Sequence, residues 1–182
     1  MDTKQQFEHV IQACREIFRH KLADYGASWR VMRPSSVTDQ LFIKANRIRN
    51  LEMKGESKVG EGIKPEFAAI VNYGVMGLIQ LESGPCMDVQ RQQIDTLTAW
   101  YDKQITQAKE LMYAKNHDYD EAWRSMRTTS CTDLILTKIC RIKQIEDHGG
   151  HTLVSEGIDA NYMDIINYAL FALIKLEANG ES

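Results

Sequence analysis

Apolar residues recur three and four positions apart along most of the chain, the period of one helix face, and strict strand-like alternation is nowhere sustained. Phe7, Val10, Cys14, Ile17, Phe18 and Leu22 form one such stripe and predict a first helix over residues 3 to 22. A second helix is predicted from Ser36, whose SxxD spacing to Asp39 reads as an N-cap signature, to Gly55. A third begins after Lys64-Pro65 and runs to about residue 82, with proline in its first turn. The same order then repeats. The pattern predicts helices from about 89 to 115, from the Ser130/Asp133 signature to Gly149, and from Asp159 as cap to about 178.

The repetition extends to individual residues. Asp24-Tyr25, Trp29-Arg30, Met32-Arg33, Thr38-Asp39, Lys44, Arg47-Ile48 and Glu52 return 94 positions later as Asp118-Tyr119, Trp123-Arg124, Met126-Arg127, Thr132-Asp133, Lys138, Arg141-Ile142 and Glu146. After a one-residue insertion, Glu61-Gly62-Ile63, Asn72-Tyr73 and Leu81-Glu82 reappear as Glu156-Gly157-Ile158, Asn167-Tyr168 and Leu176-Glu177. Upstream, Lys21 matches Lys115. Ser83-Gly84-Pro85 ends the first copy, and Asp88 is placed to cap the next helix. The expectation is an all-α protein of two tandem three-helix units, residues 1–83 and 84–182, packed as a pseudo-twofold helical bundle.

Charges interrupt the apolar stripes at the same places in both copies. On the second helix Leu41, Ala45, Ile48 and Leu51 carry the stripe, with Lys44 and Glu52 inside it. Ile135, Ile139, Ile142 and Ile145 enclose Lys138 and Glu146, with Arg141 flanking. Ions on a core-facing stripe need partners, because burying an unpaired charge is costly. Glu61 or Glu52 is the expected partner of Lys44, and Glu156 or Glu146 that of Lys138. Asn72 and Asn167 interrupt the third helices, and Asp164, one turn before Asn167, has only Ala69 as its counterpart.

The connector after the first helix adds Lys21, Asp24, Tyr25, Trp29 and Arg30, repeated as Lys115, Asp118, Tyr119, Trp123 and Arg124. Arginines beside a helix N-terminus suit an anion, and tyrosine or tryptophan offers a stacking face to a base. With Lys44, Arg47, Asn72, Lys138, Arg141 and Asn167, these residues form the candidate ligand set; Glu146, Glu156 and Asp164 form the candidate catalytic set. The bland alternative has the aromatics pinning the loop, Lys21 capping the first helix and Arg30 paired with Asp24.

Composition narrows the field. A 43% hydrophobic content over 182 residues supports a core without disulfides, and a net charge of -3 supplies no basic field for duplex nucleic acid. No apolar run approaches the roughly 18 residues of a membrane span, so a cytoplasmic protein without a membrane partner is expected. Cys14, Cys86, Cys131 and Cys140 stand at no metal-ligand spacing and read as reduced thiols. His148 and His151 flank Gly149-Gly150 and read as loop residues.

The motifs K-x-x-D-Y, W-R-x-M-R, K-x-x-R-I, E-G-I and N-Y resemble the family called nucleotide modification associated domain, type one, over Lys21 to Leu81 and Lys115 to Leu176. The resemblance implies a place in nucleotide or base modification and supplies no defined reaction. A more distant likeness is to the all-α nucleoside triphosphate pyrophosphatases of the MazG and dimeric dUTPase type, which hold Mg²⁺ through ExxE and ExxD. Here Lys138-Ile139-Cys140-Arg141 and Asp164-Ile165-Ile166-Asn167 stand in the corresponding-looking places, so two cations replace two carboxylates. Mg²⁺ needs oxygen ligands, which leaves only a residual site from Glu146, Glu156 and Asp164 in the second unit.

The residues are compatible with three readings: a nucleotide phosphohydrolase-like enzyme, a non-catalytic nucleotide sensor, and a helical scaffold whose charges are architectural. Whether the fused units self-associate further stays open.

Overall fold

A computed structural model describes residues 1–55 and 62–181. Six α-helices account for most of them, with no strand among the described residues: α1 (Thr3–Tyr25), α2 (Pro34–Lys54), α3 (Lys64–Ser83), α4 (Ile94–Tyr119), α5 (Thr128–Asp147) and α6 (Ile158–Asn179). Short 3₁₀ turns at Ser28–Val31 and Ala122–Ser125 join the first helix of each unit to the second, and another, Val89–Arg91, lies between the units. The all-α class and the three-helix order of each unit stand as the sequence predicts.

The helix starts differ from the sequence reading, for a local reason. Arg33 and Arg127 occupy the N-caps of α2 and α5, and Pro34 takes the first turn of α2, where its fixed φ and missing N–H cost nothing. Ser36 and Ser130 therefore lie inside the first turn, and the SxxD spacing does not cap. Gly157, not Asp159, caps α6, and α4 starts after Gln93, beyond the predicted start near 89. Asp88 precedes only the 3₁₀ turn and makes no capping bond. At α1, Asp2 and Gln5 close a reciprocal capping box.

The core runs through α3 and α6, which pack against each other along their length. Close approach is built from small residues: a Cβ at Gly74 would lie 2.6 Å from Ile166 Cγ1, and one at Gly77 would lie 2.9 Å from Tyr162 Cζ. Helices α2 and α5 flank this pair and touch each other, while α1 and α4 each lie across both central helices. Leu41, Ala45 and Ile48 are fully buried, as are Ile135, Ile139 and Ile142. Three stripe members are not: Ile17 is 41% exposed and Leu51 and Ile145 are half-buried, while Ile11 is buried in α1 instead.

Corresponding residues make corresponding bonds. Thr38 Oγ1 donates to Glu146 Oε1 at 2.6 Å, and Thr132 Oγ1 donates to Glu52 Oε1 at 2.7 Å, so α2 and α5 exchange the same contact. Gln80 donates to the Arg30 carbonyl at 2.9 Å, and its counterpart Lys175 donates to the Arg124 carbonyl at 2.7 Å. The two units thus use the same kinds of contact at the same repeat positions.

Candidate functional site

Lys44 and Lys138 are half-buried, with side chains 30% and 13% exposed, and their expected carboxylate partners are not the ones found. Glu52 and Glu146 face the α2/α5 seam and meet threonines, and Glu61 lies outside the described residues. In the first unit the partner is Glu66, at the start of α3: its carboxylate lies 2.9 Å from Arg47 Nη1 and 3.5 Å from Lys44 Nζ. In the second unit Asn161 stands in place of Glu66, and the carboxylate moves one helical turn along α6 to Asp164. Asp164 Oδ2 is 2.8 Å from Lys138 Nζ and Oδ1 is 2.7 Å from Lys115 Nζ. Each unit thus buries one carboxylate between two cations, but from positions a turn apart. The side chains of Glu66 and Asp164 are only 8% and 7% exposed, which is tolerable because both are paired twice.

Moving the carboxylate changes which cations are free. Arg141, the counterpart of Arg47, has no Glu66 to meet and is exposed. Lys21, the counterpart of Lys115, has only Ala69 opposite and is likewise exposed. Lys138 is 13% exposed and Lys115 42%, so the pair around Asp164 has one fixed member and one at the surface. Burial works against the charge on Lys115, but its bond to Asp164 and the charges of Asp164 and Glu156 outweigh it, and its pKa is raised.

These residues open into a cavity of about 390 Å³ between α4, the Ala122–Ser125 turn, α5 and α6. Lys115, Tyr119, Trp123, Lys138, Glu156, Asp164 and Asn167, all candidates from the sequence, line it. Its apolar side adds Met112, Tyr168 and Phe171, which the sequence reading did not select; the repeated Asn-Tyr pair was the available signal for Tyr168. Trp123 and Phe171 stack at 4.5 Å and 8°, and Tyr168 meets Phe171 edge-on at 6.2 Å. Tyr119 is 71% exposed at the rim. Burial raises the Tyr168 hydroxyl, with the nearby Asp164 charge acting in the same direction. Asn167 donates to the Ala108 carbonyl at 2.9 Å, while its Oδ1 and the Trp123 indole N–H are buried without hydrogen-bond partners.

The other candidates serve elsewhere. Arg124 covers the Trp123 ring at 4.4 Å and bonds Glu121, Thr3 and Gln6, so it fastens α1 to the second unit instead of facing the cavity. Arg30 is buried, bonded to the Gln80 side chain and the Gly84 carbonyl, and pairs with no Asp24. Trp29 is buried against Phe18. Asp24, Tyr25 and Asp118 are exposed, and Asn72 is bonded at both ends. Glu146 reaches Thr38 outside the cavity, so the three carboxylates Glu146, Glu156 and Asp164 do not meet; no group of three or more His, Cys, Asp or Glu among the described residues is placed to hold a metal. With Asp164 held by two ammonium groups, the residues present do not fit a Mg²⁺ centre.

A larger groove of about 1370 Å³, open to solvent, runs along the outer face of α5 beside residues 148–157 and contains Arg141, His148 and His151. It shares Glu156 with the Asp164 cavity but holds none of the buried charge.

Among known proteins, a family model described as nucleotide modification associated domain 1 matches residues 21–81 and 115–176, once in each unit. No curated protein and no solved structure matches the chain.

Proposed function

Because the chain belongs to the nucleotide modification associated domain 1 family, we propose that its second unit binds a nucleotide in the cavity around Asp164. One observation carries the reading: a buried carboxylate held by two lysines forms the polar end of a cavity whose apolar wall is built from Trp123, Tyr168 and Phe171 with Met112 and Met126. That division matches the two halves of a nucleotide, an anionic group and a flat π-system. The cavity volume lies in the range of small-molecule sites, roughly 300–1,000 Å³.

The two lysines have different roles. Lys138, nearly buried, positions Asp164; Lys115, half exposed, exchanges its carboxylate for a phosphate oxygen when ligand arrives. The exchange trades one charge-assisted bond for another, so it contributes direction more than affinity. Lys115, Lys138, Asp164 and Glu156 carry no net formal charge together, so the aromatic wall against Trp123, Tyr168 and Tyr119 supplies most of the binding. The first unit, with Ala69 opposite Lys21, is the architectural partner. Binding without turnover is favoured over hydrolysis because the one buried carboxylate of this cavity, Asp164, is fully engaged and the acidic groups are dispersed.

A thermal-shift screen of ribo- and deoxynucleoside mono-, di- and triphosphates, with and without Mg²⁺, tests this. Binding that persists in a chelator, without release of phosphate or pyrophosphate, supports it. Lys115→Ala should weaken binding by less than the about 1.5–3 kcal/mol of a full charge-assisted contact, because the bond to Asp164 is given up in exchange, and without the folding defect expected of Lys138→Ala. The absence of any nucleotide-induced shift in a well-folded protein would return the charges to architecture.

A further inference from the structure

Asn72 and Asn167 hold corresponding places on α3 and α6, and each donates its amide to a backbone carbonyl of its own unit's first helix: Cys14 at 3.0 Å and Ala108 at 2.9 Å. Their other ends differ. The Tyr101 hydroxyl, reaching across from α4, donates to Asn72 Oδ1 at 2.8 Å. By the repeat, the residue corresponding to Tyr101 is Phe7 of α1, which has no hydroxyl. Phe7 is fully buried, edge-on to Trp123 and Phe171 at 5.9 and 5.7 Å, and Asn167 Oδ1 is left without a donor.

Asn167 is 5% exposed and lines the Asp164 cavity, so its acceptor is a polar atom in an interior that gives it nothing to bond. The Trp123 indole is also unbonded, but so is that of Trp29, which makes it a property of both units. The unbonded amide oxygen belongs to the second unit alone.

We infer that Asn167 Oδ1 is the specificity-determining acceptor of this cavity, bonded by a neutral N–H or O–H donor of the bound nucleotide, as Tyr101 bonds Asn72. The donor is neutral because Asp164 and Glu156 already balance Lys115 and Lys138 in this cavity, so a further cation there would be uncompensated. Two groups of a nucleotide have that chemistry, a base N–H and a sugar hydroxyl. The inference rests on the nucleotide reading of the same cavity and adds which atom chooses the ligand.

The test compares wild type with Phe7→Tyr, which supplies the missing hydroxyl from the protein side, and Tyr101→Phe, which removes it from the first unit. The probes are the monophosphates of each base as ribo, 2′-deoxy and 3′-deoxy forms, with base analogues whose N–H donor is deleted or methylated. Phe7→Tyr should raise the unliganded Tm by roughly 2–4 °C and weaken the best-bound probe about tenfold or more. Tyr101→Phe should lower Tm by a similar amount and leave affinity unchanged.

Loss of affinity on removing the base donor assigns the contact to the base; loss on removing a hydroxyl assigns it to the sugar. In either case the sensitive probe and its analogue should become equivalent in Phe7→Tyr. A folded Phe7→Tyr that binds as wild type does overturns the inference. If that variant does not fold, equal wild-type affinities for every probe and its donor-deleted analogue overturn it, and a tenfold loss with one analogue upholds it. Should no probe bind wild type at all, the nucleotide reading fails first and takes the inference with it.

Discussion

Thr38 Oγ1 lies 2.6 Å from Glu146 Oε1, and the same hydroxyl lies 2.6 Å from Tyr162 Oη, so one threonine ties α2 to both α5 and α6. Burial raises the carboxyl of Glu146, with the threonine bond acting against it, and the same holds for Glu52 beside Thr132. Each binds a proton more tightly folded than unfolded. From the ordinary value of 4.5 up to the raised one, their contribution to stability therefore falls as pH rises. Glu146→Gln should gain about 1–3 °C in Tm at neutral pH, a small effect because solvent screens these half-buried groups. The gain should vanish below pH 4.5. A gain independent of pH would remove the electrostatic explanation.

Asp164 supplies the only counter-charge paired with Lys138 among the described residues. Asp164→Ala should cost up to about 3–5 kcal/mol by stranding a nearly buried ammonium. Lys138→Ala should destabilise more than Lys115→Ala, since Lys138 is 13% exposed and Lys115 42%. Urea titrations of the three variants read the order directly; equal losses for the two lysines would contradict the division of roles.

Gly74→Ala isolates the α3/α6 contact. A methyl in a helix gains roughly 1 kcal/mol over glycine in propensity, but overpacking against Ile166 costs about 1–3 kcal/mol. The contact sits 2.6 Å from a buried side chain, so the clash should win. Ile166→Val in the same background should recover part of the loss, because the corresponding positions are already alanine and valine, Ala169 and Val71. A stabilised Gly74→Ala in chemical denaturation would show that the seam is looser than this.

Thiol labelling should divide the cysteines by burial. Desolvation pushes Cys14 up to about 12 and Cys131 to about 11, so neither forms thiolate near neutrality. Cys140 is exposed and Cys86 half-buried, and alkylation followed by mass spectrometry should find these two modified in the native protein. Cys14 and Cys131 should react only after unfolding; native labelling of either would reveal local opening of α1 or α5.

Much of the architecture was legible in one dimension. Helical period, the glycine and proline breaks and the 94-residue recurrence of Trp29-Arg30 as Trp123-Arg124 required no knowledge of partners, because each is a property of neighbouring positions. They yielded six helices in two units, the family resemblance and most residues of the cavity. The sequence also signalled that Lys44 and Lys138 needed carboxylates, since charges on an apolar stripe are costly alone.

Which carboxylates answered was a tertiary decision. Lys115 and Asp164 stand 49 positions apart, and Glu66 and Asp164 sit a turn apart on corresponding helices, so neither pairing is a matter of spacing. Glu52 and Glu146 have the right charge but face a seam between α2 and α5, where threonines meet them. Arg124 and Arg30 fit an anion site by composition, yet packing had already given their donors to Thr3, Gln6, Gln80 and Gly84. Asn167 Oδ1 is unbonded while Asn72 Oδ1 takes the Tyr101 hydroxyl, and Phe7, which stands at the repeat position of Tyr101, has no hydroxyl to give. Periodicity decides which face of a helix is buried, but a hydrogen bond needs two atoms within about 3 Å, and only the packing of distant helices sets that distance.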